Sequence, residues 1–182
     1  MKTETAHFHS YAEEYNFTQQ LQDGSINKEQ YIILLKRLYA FFSQTVILSR
    51  NFPQNDIANT YFFSAKVNLL RSDLFNLQVM MPPKDFVFDE VDYYEYLGFC
   101  YVSMGSMLGG QYIYRNLLKM QAEKEMELSL LFYSSCKDSV FTNWKDFTKA
   151  LQLVNEEHHT KILNGAKICY LYFLYLCKII DQ

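Results

Sequence analysis

Tyr101-Val102-Ser103-Met104-Gly105-Ser106-Met107-Leu108-Gly109-Gly110 holds three of the chain's six glycines inside one six-residue window. The flanks, residues 94–104 and 111–120, contain no proline and follow helical patterning, which places the glycines within a long helix. A glycine in a helix interior costs about 1 kcal/mol relative to alanine, so three together weaken this one by about 3 kcal/mol. A sequence that keeps them is using the missing side chains. Gly105 and Gly109 fall one turn apart on one face, with Gly110 beside Gly109. Two uses fit that spacing. Small residues let a second helix approach closely. Bare backbone also lets a flat ligand lie against the helix, and a weakened segment can bend over it. Spacing alone leaves both open.

Helical patterning extends over almost the whole chain. Phe8, Tyr11, Ala12 and Tyr15 share one face of a first helix that Asp23-Gly24 should end. Asn27 with Gln30 three residues later has the form of a capping box, opening a helix through Tyr31, Leu34, Leu35, Leu38 and Phe42. Pro53 should stop it, and a third helix is expected from about residue 56 to 78, closed by Pro82-Pro83. Acidic residues at 89–92 suit the start of the glycine-bearing helix. The helical pattern continues over 119–133, and 134–141 reads as a loop. Thr142 is positioned to cap a helix through Trp144, Phe147 and Leu151, and Asn155-Glu156-Glu157 to open the last one. No run shows strand alternation bounded by turn signals, and no internal repeat is visible. The expectation is a single all-α domain over 1–182.

Composition narrows the function. With 49% hydrophobic and 20% charged residues the chain is not disordered. Its 15 Tyr and 15 Phe suit a protein that wraps a flat cofactor, and equally a plain aromatic core. A net charge of −3 without a basic run carries no nucleic-acid footprint. Cys100, Cys136, Cys169 and Cys177 are scattered without a CxxC pair. They read as reduced, buried thiols of a cytoplasmic protein rather than a disulfide frame or zinc site. The polar first residues do not form a signal-peptide pattern. The apolar run 168–180 is interrupted by Lys178, and a membrane span takes about 20 apolar residues, so a buried terminal helix and no membrane association are expected.

His9 lies one turn before Glu13 and one turn after Thr5. A neutral imidazole whose second nitrogen meets a carboxylate is what an axial iron ligand needs, because the carboxylate fixes the tautomer and raises basicity. An exposed histidine at the edge of a core has the same local sequence, so spacing does not decide between them. His7 points to another face, and His158 and His159 sit near a helix start where solvent exposure is expected.

Taken together, the two features resemble the haem (heme) oxygenase family in its bacterial, biliverdin-producing form. Residues Lys2-Thr3-Glu4-Thr5-Ala6-His7-Phe8-His9, followed by Glu13, resemble the family's proximal helix. Residues Tyr101–Gly110 resemble its distal helix, YV-x-x-GS-x-LGG. Arg71-Ser72-Asp73-Leu74 and Trp144-Lys145-Asp146-Phe147 extend the resemblance, in the family's order, over most of the chain. It implies a multi-helical fold with haem, both substrate and cofactor, held between the first helix and a kinked glycine helix. It also implies oxidative opening of haem to biliverdin, iron and carbon monoxide, with oxygen and electrons from an external donor (ferredoxin, flavodoxin or a reductase). His9 would then ligate the iron, with Glu13 as its partner and Thr5 in the same helix. Gly105, Gly109 and Gly110 would approach the distal face, and Tyr101 would stand near the haem edge. Lys2, Lys145 and Lys149 would pair with propionates. The chain departs from the mammalian pattern at Ser106, where an acidic residue organises water near the bound oxygen. Ser106 can hold a water but brings no charge. Two rival readings are a haem-binding or sensing protein of the same fold and a thiamin-salvage enzyme of the TenA type, which has no need of an axial histidine.

Overall fold

A computed structural model of the chain describes residues 3–52, 63–82 and 91–180. Among these residues the secondary structure is helical throughout. The helices are α1 (Ala6–Tyr15), α2 (Thr18–Asp23), α3 (Lys28–Ser49), α4 (Phe63–Asn76), α5 (Tyr93–Gly105), α6 (Gly110–Lys124), α7 (Leu131–Ser134), α8 (Asp138–Leu151) and α9 (His159–Ile179).

Local capping starts the two central helices. Asn27 Oδ1 accepts from the Gln30 N–H at 2.8 Å while Gln30 Oε1 accepts from the Asn27 N–H at 3.0 Å, the reciprocal box expected for α3. Tyr31, Leu34, Leu35, Leu38 and Phe42 of that helix are all buried. Asp92 and Glu95 make a second capping box at α5, and Lys161 Nζ lies 2.7 Å from the outer carboxylate oxygen of Asp92. Burial works against the charged form of Asp92, but Lys161 and the helix N–H groups outweigh it and hold its carboxyl below the usual range.

Helices α5 and α9 cross at backbone distance. A Cβ on Gly98 would sit 2.2 Å from the Ile162 carbonyl oxygen, and one on Gly165 only 1.9 Å from that of Glu95. Close helix packing is therefore the task of Gly98 and Gly165, one from each helix. Helices α3 and α9 are long and apolar enough to cross a membrane by length and composition, and each contributes much of its apolar length to the domain core.

Three elements differ from the sequence expectation. The first helix is broken at Phe17, whose φ is 56°. That left-handed position costs a non-glycine residue, and tertiary contacts offset it. The buried Arg37 guanidinium lies 5.0 Å above the Phe17 ring and donates to the carbonyls of Tyr15 and Cys177. Gly24, at φ 71°, ends α2 as expected. The pattern over 119–133 stops at Lys124, followed by Glu125 at φ 49°, and α8 opens at Asp138 rather than at Thr142. Pro53, Pro83, Asp89, Glu90 and the expected start of the third helix at 56–62 lie outside the described residues.

Asp73, fully buried, caps α7 from a distance. Its carboxylate accepts from the N–H groups of Leu131 and Phe132, each at 2.8 Å, and from the Ser129 hydroxyl at 2.6 Å. Asp73→Ala strands all three donors, and the expected loss is ~3 kcal/mol. A thermal melt should show it as a fall in Tm of roughly 6–12 °C.

Candidate ligand-binding cleft

A cleft of about 720 Å³ lies between α1–α2 on one side and the α5–α6 junction on the other. That volume falls within the range of sites for sizeable organic ligands. Its inner wall is apolar and aromatic: Leu38 and Phe41 from α3, Phe132 and Tyr133 from α7, Tyr170 and Phe173 from α9. The apolar periods of α1, α3 and α9 put these faces inward, so the cleft is a gap in the same core.

The glycine stretch forms the kink between α5 and α6. From Ser106 to Gly109 the α-helical ladder gives way to shorter bonds, with Met107 N–H reaching the Met104 carbonyl and Leu108 N–H that of Gly105, each at 3.1 Å. None of the three glycines here uses a positive φ. What they supply is missing bulk. A Cβ on Gly109 would meet nothing within 4 Å, and one on Gly105 would meet only the edge of Trp144, at 3.5 Å. Both open on the cleft. Gly110 differs, because a Cβ there would lie 2.7 Å from Cys136 Cβ and Sγ. It lines the cleft, but its missing side chain makes room for Cys136.

On the facing wall, His9 Nδ1 lies 3.3 Å from Glu13 Oε2, and the His9 N–H bonds the Thr5 carbonyl at 3.0 Å. Thr5, His9 and Glu13 all line the cleft. With Glu13 on Nδ1, Nε2 is the nitrogen available to a ligand. Ser106 also lines the cleft, and its hydroxyl donates to the Ser103 carbonyl at 2.8 Å, so toward the cleft it offers lone pairs only. Tyr101 is half-buried, 4.9 Å from Trp144, and burial pushes its phenol pKa up. Tyr101 also borders a second cleft of about 500 Å³ that reaches Gln152 and His159.

The remaining site candidates fall elsewhere. Lys145 and Lys149 are exposed on α8 and do not line the cleft. Helical periodicity explains this, since Trp144, Phe147 and Leu151 take the inward face. Lys2 lies outside the described residues. His7 packs on Phe8, His158 stacks on Tyr94 and His159 faces the Val154 carbonyl; none of the three lines the large cleft. Sequence reading did not single out Tyr112, Tyr170, Phe173 or Asn16 as lining residues. Asn16 Oδ1 is buried without a hydrogen-bond partner among the described residues. No local motif marks these positions. They meet only through the tertiary fold.

The donor set bears on which metal could be held. Among the described residues no three His, Cys, Asp or Glu side chains come together. A bare transition-metal ion needs about three or four protein donors. A single imidazole facing an open, apolar slot fits a metal that arrives within a flat macrocycle.

Fold and site thus define a protein, all-α among the described residues, with a large cleft between a histidine-bearing helix and a glycine kink. No family model matches the sequence, and no curated protein matches it. Among solved structures, the chain is similar to the heme oxygenase of Neisseria meningitidis, known in NO- and CO-bound crystal structures. The TM-score is 0.72 at 17% identity, over 98% of this chain and 88% of that one. The chain has that protein's all-α fold.

Proposed function

We propose that the protein is a haem oxygenase that opens haem to biliverdin, iron and carbon monoxide with oxygen and electrons from an external donor. One observation carries the reading: Gly105 and Gly109 leave bare backbone on the cleft opposite a histidine whose Nδ1 meets a carboxylate. Close helix packing does not account for these two glycines, because a Cβ on Gly109 would meet nothing within 4 Å and one on Gly105 only the edge of the Trp144 ring. Haem supplies the oxygen-activating iron and is itself the ring that is opened.

The chain's residues hold and shield. His9 would hold the iron through Nε2, while Glu13, 3.3 Å from Nδ1, would fix the tautomer and make the imidazole a stronger donor. Gly105 and Gly109 admit the flat ring, where any larger side chain would occupy its place. Leu38, Phe41, Phe132 and Phe173 keep water from the inner edge. Tyr101 and Trp144 close one rim. Ser106, its proton committed to the Ser103 carbonyl, would accept from a water and steady it. Lys2, by the family resemblance, would pair with a propionate. Lys145 and Lys149, off the lining, act there only through the length of their side chains.

A second reading is favoured by Ser106: a protein that carries or senses haem without degrading it. Haemin titration tests what the two share. The expected result is one haemin per chain with a sharp Soret band; no stoichiometric binding would sink both.

A further inference from the structure

We infer that Tyr170, which the proposed mechanism does not use, is the positioning residue that fixes the plane of the His9 imidazole; this rests on His9 being the axial ligand. Glu13 is poorly placed to do so alone. The His9 and Glu13 side chains are 57% and 51% exposed, and exposed pairs of this kind hold geometry weakly. Tyr170 is 8% exposed and anchored in α9. Its ring lies nearly parallel to Phe8, with centroids 6.3 Å apart and planes at 11°, and meets the His9 ring edge-on at 6.2 Å and 73°.

The anchor matters as much as the contact. Helix α9 is locked to α5 by the Gly98 and Gly165 crossing, and α5 ends at Gly105. Through Tyr170 the imidazole takes its position from the helix pair that positions the distal backbone. The two walls of the cleft are thereby set against each other by one rigid unit.

The test is the electron paramagnetic resonance spectrum of the ferric haemin-loaded protein, together with haemin affinity. Tyr170→Leu should split the single axial species into several and weaken haemin about tenfold. Tyr170→Phe, which keeps the ring, should retain one species and wild-type affinity. Glu13→Gln, with Tyr170 intact, should also retain one species. A single wild-type signal and affinity in Tyr170→Leu would overturn the inference, and so would a split signal in Glu13→Gln. Should Tyr170→Leu fold poorly, the other two variants decide. An unchanged haemin spectrum in His9→Ala would instead sink the haem oxygenase reading itself.

Discussion

His9→Ala is expected to weaken haemin binding about 100-fold and to remove the spectrum of an imidazole-ligated ferric haem. Loss of a partner behind a metal ligand costs roughly 10–100-fold, and loss of the ligand itself belongs at the top of that range. The fold should survive. His9 is more than half exposed, and exposed positions usually change stability by no more than about 0.5 kcal/mol. A thermal melt alongside the haemin titration separates loss of ligation from loss of structure. If titration and spectrum match the wild type, iron is not held at His9.

The second large effect is a contrast between two glycines. Gly109→Leu places its side chain in open space on the cleft, so folding should tolerate it. Haemin binding should not. Overpacking of this kind costs about 1–3 kcal/mol, or roughly 5–150-fold in Kd. Gly165→Ala should do the reverse. In an ordinary helix that change gains up to about 1 kcal/mol, but here the new methyl would fall 1.9 Å from the Glu95 carbonyl oxygen. The α5–α9 crossing must open, and about 3 kcal/mol of stability should go with it. Urea unfolding and haemin titration of both variants check the pair. Unaltered haemin binding in Gly109→Leu would return the glycine stretch to a packing role.

Much of this was legible in the sequence because it is local. The Asn27–Gln30 box and the apolar face from Tyr31 to Phe42 specify α3 without reference to the rest of the chain. The Thr5, His9 and Glu13 spacing is helix geometry, and three glycines in six residues stand out against a helical background. What stayed hidden is tertiary. Phe17 holds φ 56° with Arg37, twenty positions away, over its ring and bonded to the Tyr15 carbonyl. Gly98 and Gly165 are single glycines in separate helices, and no spacing within either one reveals that their backbones meet. The same holds for Tyr170, which faces His9 from the other end of the chain. Lys145 and Lys149 lie off the cleft lining although Trp144 is on it, because adjacency in sequence is not adjacency on a helix face.

The proposed turnover is tested most directly by following the absorption spectrum of haemin-loaded protein in air before and after ascorbate is added. The Soret band is expected to decay and the red absorption of a bilin to replace it. A Soret band that stays unchanged in the presence of oxygen and reductant would contradict that turnover, and would leave a protein that binds haem without opening it.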